Sequence, residues 1–394
     1  MNKKTTIILC FFTAVIVFVV TTAFYFTPFG MFIYSKVAAV LGYEDSTKLF
    51  QIESIMDSKF YGEAPKRYMM DRALTAYTQS SGDKYTTYMN STTFQSVKDD
   101  LEGEFHGIGV VVVGTENGIS IKEVQSGSPA QKAGIQPGDY IVAVNGTEYP
   151  PEQFTEAVSA IKKTKPGEKC IVKIRREGET FDVEVVPEDV DMEYVTSQMA
   201  DSEVGYIRIK TFGKKTADDF DKALESLENK GMKSLVIDLR SNPGGSLDTV
   251  VKMVDRLVGK GIITTVKYKD EKETEEYYSD ENELDIPMCV LINEDSASAS
   301  EIMSACLRDY GKATLVGKKT YGKGVVQAIY EFGDNTALRL TVAKYYTPNG
   351  ICIDGTGIEP DVEVDLPEDK VIGTFEIDFE NDTQFEKAME ILKN

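Results

Sequence analysis

Three short runs, SLVIDLR (234–240), MCVLIN (288–293) and ATLVG (313–317), are almost continuously apolar, and stretches with helical spacing separate them. A strand that is apolar on both faces must be covered on both faces. Its alternation with helices therefore specifies a largely buried α/β sheet. GYIRIKTF (205–212) opens the pattern, with helices expected over 216–229, 247–258 and 299–310. VVQAIY (325–330) and ALRLTVAKYYTP (337–348) extend it. The Lys- and Glu-rich stretch 266–285 reads as an exposed loop or edge strand.

Upstream the period changes. GIGVVVV (107–113), GISIKEV (118–124), YIVAVNG (140–146) and KCIVKIRREGETFDVEVV (169–186) are β-branched strands bounded by Gly and Pro turns. With short helices expected at 128–134 and 151–163, they outline a β-rich domain over 104–188. Residues 38–100 read as mostly helical, with Phe50, Ile52, Ile55, Met56 and Phe60 on one loose apolar face and SSGDKYTTYM (80–89) as an interrupting turn. The ranges that follow are 1–36, 37–103, 104–188, an α/β core at 189–370 and a tail at 371–394. In that tail Phe385, Ala388, Met389 and Leu392 share one helical face, suited to docking on the core or on a partner subunit, so a homodimer is allowed.

No charged residue lies between Lys4 and Lys36, and residues 7–26 are almost wholly apolar, the length of a bilayer span. Lys3 and Lys4 precede that run, which orients a retained single-pass anchor with the rest of the chain on the extracytoplasmic side of the cell membrane. A cleaved signal peptide is the rival reading, without a clean small-x-small site to support it. The balance of 43 basic against 64 acidic residues, a formal charge of −21, argues against a nucleic-acid partner. Of five cysteines, Cys10 lies in the apolar run, and the scattered Cys170, Cys289, Cys306 and Cys352, with no CxxC pair, read as small buried hydrophobes. One histidine and no clustered thiols give no metal site, and no cofactor is expected.

SASASEI (296–302) follows the apolar run 288–292 and places three serines at the entry to a helix. A nucleophilic serine needs a base, and the sole histidine, His106, sits in the β-rich domain, where a strand-edge role is the better reading. A desolvated lysine can serve instead. Lys323, flanked by Gly322 and Gly324 in KKTYGKGVVQ, is the candidate. The bland readings are a capping box, Ser298 to Glu301, a surface Ser300 and a solvated lysine in a glycine turn. SNPGGS (241–246), between a strand and a helix, can aim backbone N–H groups at a developing anion. It can equally be a plain turn beside a local Asp238–Arg240 pair.

Taken in order, GDKYTTYM, FHGIGVVV, SPAQKAGIQPGDYIVAVNG, VIDLRSNPGG, SASASEI, TYGKGVVQ and GTGIEPDVEV resemble the carboxyl-terminal processing (tail-specific) serine proteases from about residue 70 to the end, with Lys84 where that family usually has proline. The resemblance implies an α/β protease core of the ClpP/crotonase type joined to a PDZ domain. It implies Ser298 as nucleophile, Lys323 as general base and Gln327 as the residue that orients the lysine. The oxyanion hole would come from the N–H of Ala299 and of Gly244 or Gly245. Gly107, Ile108 and Gly109 would form the loop that holds a substrate's terminal carboxylate, the substrates being proteins or peptides with flexible apolar C-termini. The PDZ domain can gate such enzymes, and Lys162 and Arg175 are basic positions that would take part. Rival readings are a catalytically silent PDZ scaffold and a ligand-binding relative of the same core. A trypsin-like protease is excluded by the missing histidine.

Overall fold

Strands fully buried on two faces need helices above and below, and that requirement organises most of the molecule. A computed structural model describes residues 44–394 apart from 64, 103–104, 166, 191–193, 271–272, 368–369, 371, 373–376 and 394. The apolar run at 7–26 lies outside the described residues. Among those described, no helix is long and apolar enough to cross a membrane. The described residues fall into two units, divided between Ala73 and Leu74.

In the first unit, α1 (Glu44–Lys59) and the start of α2 (Lys66–Gln79) enclose a small groove of about 120 Å³ lined by Leu49, Ile52, Met56, Met69 and Met70. The expected apolar face is not packed away: Phe50, Ile52, Ile55 and Phe60 stay exposed.

The second unit begins inside α2. Thr87–Met89, expected to be part of a turn, is strand β1, and α3 (Ser91–Glu102) follows it. The β-rich domain then runs β2 (Phe105–Gly107), β3 (Val110–Thr115), β4 (Gly118–Val124), α4 (Pro129–Lys132), β5 (Tyr140–Val144), β6 (Thr147–Glu148), α5 (Phe154–Lys162), β7 (Cys170–Arg176), β8 (Glu179–Val185) and β9 (Glu188–Val190). Its sheet has the order β3-β4-β5-β7-β8, with β6 on β5, and β2 pairs with β9. Ile119, Ile121, Ile141, Val172, Ile174, Ala157 and Ile161 close one core between sheet and helix. β3 is the outer strand, so one of its edges carries no strand partner among the described residues.

The α/β core comprises β10 (Val195–Met199), β11 (Val204–Ile209), α6 (Thr216–Asn229), β12 (Ser234–Asp238), α7 (Leu247–Asp255), β13 (Gly261–Tyr268), β14 (Thr274–Ser279), β15 (Met288–Ile292), α8 (Ala299–Asp309), β16 (Ala313–Gly317), β17 (Val325–Glu331), β18 (Ala337–Tyr346), β19 (Val362–Glu363) and α9 (Thr383–Lys393). The main sheet has the order β10-β11-β12-β15-β16-β19, parallel except at β10. Period-two alternation sorts its side chains between two cores. Ile207, Ile209, Leu235, Ile237, Val290, Ile292 and Leu315 face the cluster that includes Phe220 and Leu224 of α6, Val250 and Met253 of α7, and Ile302 and Met303 of α8. Tyr206, Val236, Cys289, Leu291 and Val316 face Phe385 and Ala388 of α9, so the C-terminal helix docks on the core of its own chain.

A second sheet, β1-β18-β13-β14 with β17 on the other side of β18, supplies Ile263, Val266, Ala343 and Tyr345 to the first of these clusters. The stretch read as loop or edge from residue 266 is thus in part an inner strand, β13, and only β14 is an edge. Sequence periodicity could not show this, because β13 alternates weakly and the strand that makes it an inner one, β18, pairs from 75 to 81 residues further along the chain.

Candidate active site

The carboxyl ends of β12 and β15 lie side by side in register, Asp238 opposite Leu291. Loops leaving adjacent parallel strands at that end converge, and this is where α/β sheets hold their sites. From β12 the chain turns through Asn242, Pro243, Gly244 and Gly245. From β15 it passes through Ser296 and Ala297 into α8. The two loops touch closely, because Ala297 donates its N–H to the Asn242 carbonyl at 3.0 Å. A Cβ on Gly244 would lie 2.7 Å from both the Ala297 oxygen and Ser298 Cβ, so only glycine fits there.

The three serines are not equivalent. Ser296 is fully buried and donates to the Leu239 carbonyl at 2.8 Å. Ser300 is fully buried rather than on the helix surface, and donates to the Asn242 carbonyl at 2.9 Å. Ser298 alone is half-buried. It caps α8 with φ 57° and ψ −113°, a conformation that L residues rarely adopt and that concentrates at functional sites. In the first turn of α8 the N–H groups of Ser300, Glu301 and Ile302 find carbonyls at Ala297 and Ser298. Ala299, the first residue, has no such acceptor among the described residues. In the glycine turn, Gly244 N–H donates to Asn242 Oδ1 at 2.8 Å. Gly245 bridges in parallel to Phe212 through its neighbours, Gly244 carbonyl and Ser246 N–H, leaving its own N–H uncommitted to that bridge.

Lys323 lies in the loop between β16 and β17 and is half-buried. Its flanking Gly324 admits a close crossing, since a Cβ there would meet Asp354 backbone N at 2.4 Å. Burial pushes the lysine pKa below its ordinary value. The Arg339 guanidinium adds to that, the Glu301 carboxylate opposes it, and the Lys84 ammonium contributes again downward. Nζ lies 5.1 Å from the centre of the Tyr85 ring. Gln327, on β17, has its Nε2 buried without a hydrogen-bond partner. No hydrogen bond joins Ser298 Oγ to Lys323 Nζ or either of them to Gln327 among the described residues.

Two buried groups tie the serine loop to the lysine loop. Glu301, fully buried, accepts from Ser298 N–H (2.8 Å), Thr320 Oγ1 (2.6 Å), Gly322 N–H (2.8 Å) and Lys323 N–H (2.9 Å). The expected capping box is therefore present, and the same carboxylate also anchors the lysine loop. Tyr345 Oη lies within hydrogen-bond distance of the Ser298 carbonyl (3.1 Å) and the Lys323 carbonyl. Sequence reasoning credited Glu301 with a helix cap alone, and nothing in AKYYTP marks Tyr345.

The remaining sequence candidates stand elsewhere. His106 bonds Asp189 through Nδ1 (2.8 Å) and the Thr164 carbonyl through Nε2 (3.0 Å), fastening β2 to β9 and to the end of α5. Ile108 and Gly109 have their carbonyls held by Ala130 and Gln125 N–H groups at 2.9 Å, at the start of outer strand β3. Arg175 lies over the Tyr140 ring and donates to the Asn117 carbonyl, whereas Lys162 lines a polar cleft with Ser91, Gln95 and Asn335. Cys170, Cys289 and Cys306 are buried free thiols, the last two pushed up by burial to about 12. No cluster suited to a metal ion occurs among the described residues.

Residues 203–364 match the peptidase family S41 and residues 107–186 a PDZ domain. The carboxy-terminal processing protease CtpA of Bacillus subtilis (strain 168) is 34% identical over 361 residues, covering 91% of this chain and 77% of that protein. A "Probable CtpA-like serine protease" of Staphylococcus aureus (strain N315) is also 34% identical, over 90% of this chain and 71% of its own length. Among solved structures, the photosystem II D1 C-terminal processing protease superposes with a TM-score of 0.52 at 25% identity, covering 81% of this chain and 88% of that one. With its peptidase core, its PDZ domain and this likeness across nine-tenths of its length, the chain belongs to the carboxyl-terminal processing family of serine proteases.

Proposed function

We propose that this protease is a membrane-anchored extracytoplasmic endopeptidase that cuts protein substrates near their C-termini through a Ser298–Lys323 dyad. The observation that carries the reading is the state of the three serines: two are buried and committed to carbonyls, and Ser298 alone is accessible, strained and fastened through Glu301 to the lysine loop. A neutral Lys323 amine would take the Ser298 proton as Oγ attacks the scissile carbonyl, then return it to the leaving amine. Burial favours that neutral form. The tetrahedral oxyanion would receive the Ala299 N–H, free of intrahelical bonds, and an N–H of the glycine turn. Because Gly244 N–H is taken by Asn242, Gly245 is the better-placed donor of the two.

The missing Ser298–Lys323 hydrogen bond and the unpartnered Gln327 amide favour an enzyme whose dyad closes on activation. Gln327 Oε1 could accept from an N–H of the neutral lysine amine, which would leave its single lone pair free to face Ser298 Oγ. Gly107, Ile108 and Gly109 would hold the substrate's carboxylate, and the chain before it would add as a strand along β3. The uncharged run 7–26 behind Lys3 and Lys4 would be the anchor.

The test uses the full chain in detergent with an unfolded protein ending in an apolar tail, and fragments are read by mass spectrometry. Cleavage by the parent and by neither Ser298→Ala nor Lys323→Ala is the expected result. Persistent cleavage by Ser298→Ala would move the nucleophile elsewhere and overturn the reading.

A further inference from the structure

The base has an aromatic neighbour that the reading above leaves unused. Tyr85 belongs to the GDKYTTYM segment ahead of the PDZ domain, and its ring has two ammonium groups nearby. Lys323 Nζ lies 5.1 Å and Lys84 Nζ 4.9 Å from the ring centre. Lys84 also lies 4.5 Å from the centre of the Tyr321 ring and donates to the Tyr321 hydroxyl at 3.2 Å. Tyr321 sits two residues before Lys323, so Lys84 bridges the pre-PDZ segment to the base's own loop.

That segment is firmly held. Asp83 accepts from Tyr85 N–H (3.1 Å) and from the Thr86 hydroxyl (2.6 Å), and β1 pairs with Ala337–Arg339 of β18. Arg339 Nε donates to the Tyr85 carbonyl at 3.2 Å.

An aromatic face attracts an ammonium within about 6 Å and has little hold on a neutral amine. Alone, the Tyr85 ring would therefore steady Lys323 but favour its charged form. A second ammonium on the same ring shares that attraction and adds repulsion. We infer that Tyr85 and Lys84 are positioning residues for the base: the ring seats the Lys323 side chain, and Lys84 opposes its charging. The inference rests on the Ser298–Lys323 reading. The other charged or titratable groups near the base are Glu301 from α8 and Arg339 and Tyr345 from β18, and all three are present with or without Lys84.

Placed 4.9 and 5.1 Å from one ring centre, the two ammonium groups are no more than about 10 Å apart. At that limit, in surroundings between water and protein interior, charges move each other's titration by about half a pH unit. The experiment measures the pH dependence of kcat/KM for the full chain in detergent, on a fluorogenic peptide spanning a bond mapped by the mass spectrometry. Lys84→Met is expected to raise the acid limb by about half a pH unit, and less in 0.5 M salt. Lys84→Arg, which keeps the charge, is expected to leave that limb where it is. Tyr85→Leu is expected to lower the limb and reduce kcat. An acid limb in Lys84→Met that coincides with the parent's would overturn the inference, as would an equal displacement in Lys84→Arg. Inactive Ser298→Ala and Lys323→Ala with an unmoved Lys84→Met limb would refute this inference alone. Activity in either of those two controls would refute the dyad beneath it.

Discussion

Two charged clusters flank the turn that leaves β12, and they are built to opposite rules. On the α9 side the guanidinium of Arg240, almost fully buried, forms two hydrogen bonds to Asp238 (2.9 and 2.5 Å) and two to Asp382 (2.9 and 2.8 Å), with a fifth to Gln384 at 3.1 Å. Tyr206 closes the set by donating to Asp238 at 2.6 Å. On the other side no ion pair reaches the Lys323 ammonium among the described residues, Gln327 has a buried Nε2 without a hydrogen-bond partner, and Ser298 holds a rare backbone conformation. A polar cluster with every group matched fixes one arrangement. A cluster with donors and a base left over stores free energy for a reaction. The first locks the C-terminal segment onto the sheet, and the second is the proposed catalytic apparatus.

The sharpest break between the two is functional. Ser298→Ala should reduce kcat/KM by about 10⁴-fold or more while the protein unfolds at nearly the parent's urea concentration. A loss of activity matched by a loss of folded protein would mean that Ser298 belongs to the structural cluster instead.

On the closed side the effect should be all stability. Arg240→Met would leave two carboxylates buried and unpaired, at a cost of about 3–5 kcal/mol in urea unfolding. A change below about 1 kcal/mol would show that α9 docks by its apolar face alone. The same cluster sets an acid limit. Burial pushes the Asp238 carboxyl upward, but the Arg240 charge and hydrogen bonds, then Arg208 and the Tyr206 hydroxyl, hold it below its ordinary value. A carboxyl whose folded value is depressed stabilises the fold above its unfolded value, about pH 4, and that contribution fades as pH falls further. Unfolding free energy should therefore drop below about pH 4, measured by urea titration at stepped pH. In Arg240→Met that drop should shrink.

Glu301 belongs to both rules, being fully satisfied yet wired to the proposed serine and lysine of the dyad. Glu301→Gln keeps the shape but turns one acceptor into a donor facing N–H groups, which should cost about 1–3 kcal/mol. Misplacing the serine against the lysine should cost about 10²-fold in kcat/KM as well. Full activity in a folded Glu301→Gln protein would reduce Glu301 to the helix cap that its spacing from Ser298 first suggested.

Which parts were legible in the sequence follows the range of the interactions. The parallel strands could be read because both faces of SLVIDLR and MCVLIN are apolar, and α9 because Phe385 and Ala388 recur at helical spacing. The glycines beside Ser298 and Lys323 were legible because only a backbone crossing needs them. Hidden were contacts whose partners lie far apart along the chain. These include β1 on β18, Asp382 on Arg240, Tyr345 between the two loops, and Tyr85 beside Lys323. Each is a polar or aromatic residue whose role comes from its partner, and local pattern carries no record of a partner.

The smallest expected effect has the opposite sign from the others. Lys323 has a pKa below the ordinary lysine value because burial, Arg339 and Lys84 outweigh Glu301. The unfolded chain therefore binds that proton more tightly than the folded one. Stability from this group rises with pH across the interval between the lowered folded value and 10.5, and the penalty is largest below that interval. Lys323→Met removes the charge and keeps the methylene stem, so it should stabilise the fold at pH 7 by about 1 kcal/mol while abolishing cleavage. Raising the pH toward 10 should shrink the gap between parent and variant in urea unfolding, because the parent's lysine then loses its proton. Removing one ion would thus weaken the protein at Arg240 and strengthen it at Lys323. If Lys323→Met were instead less stable than the parent at pH 7, the lysine would be a structural cation, and the contrast between the two clusters would fail.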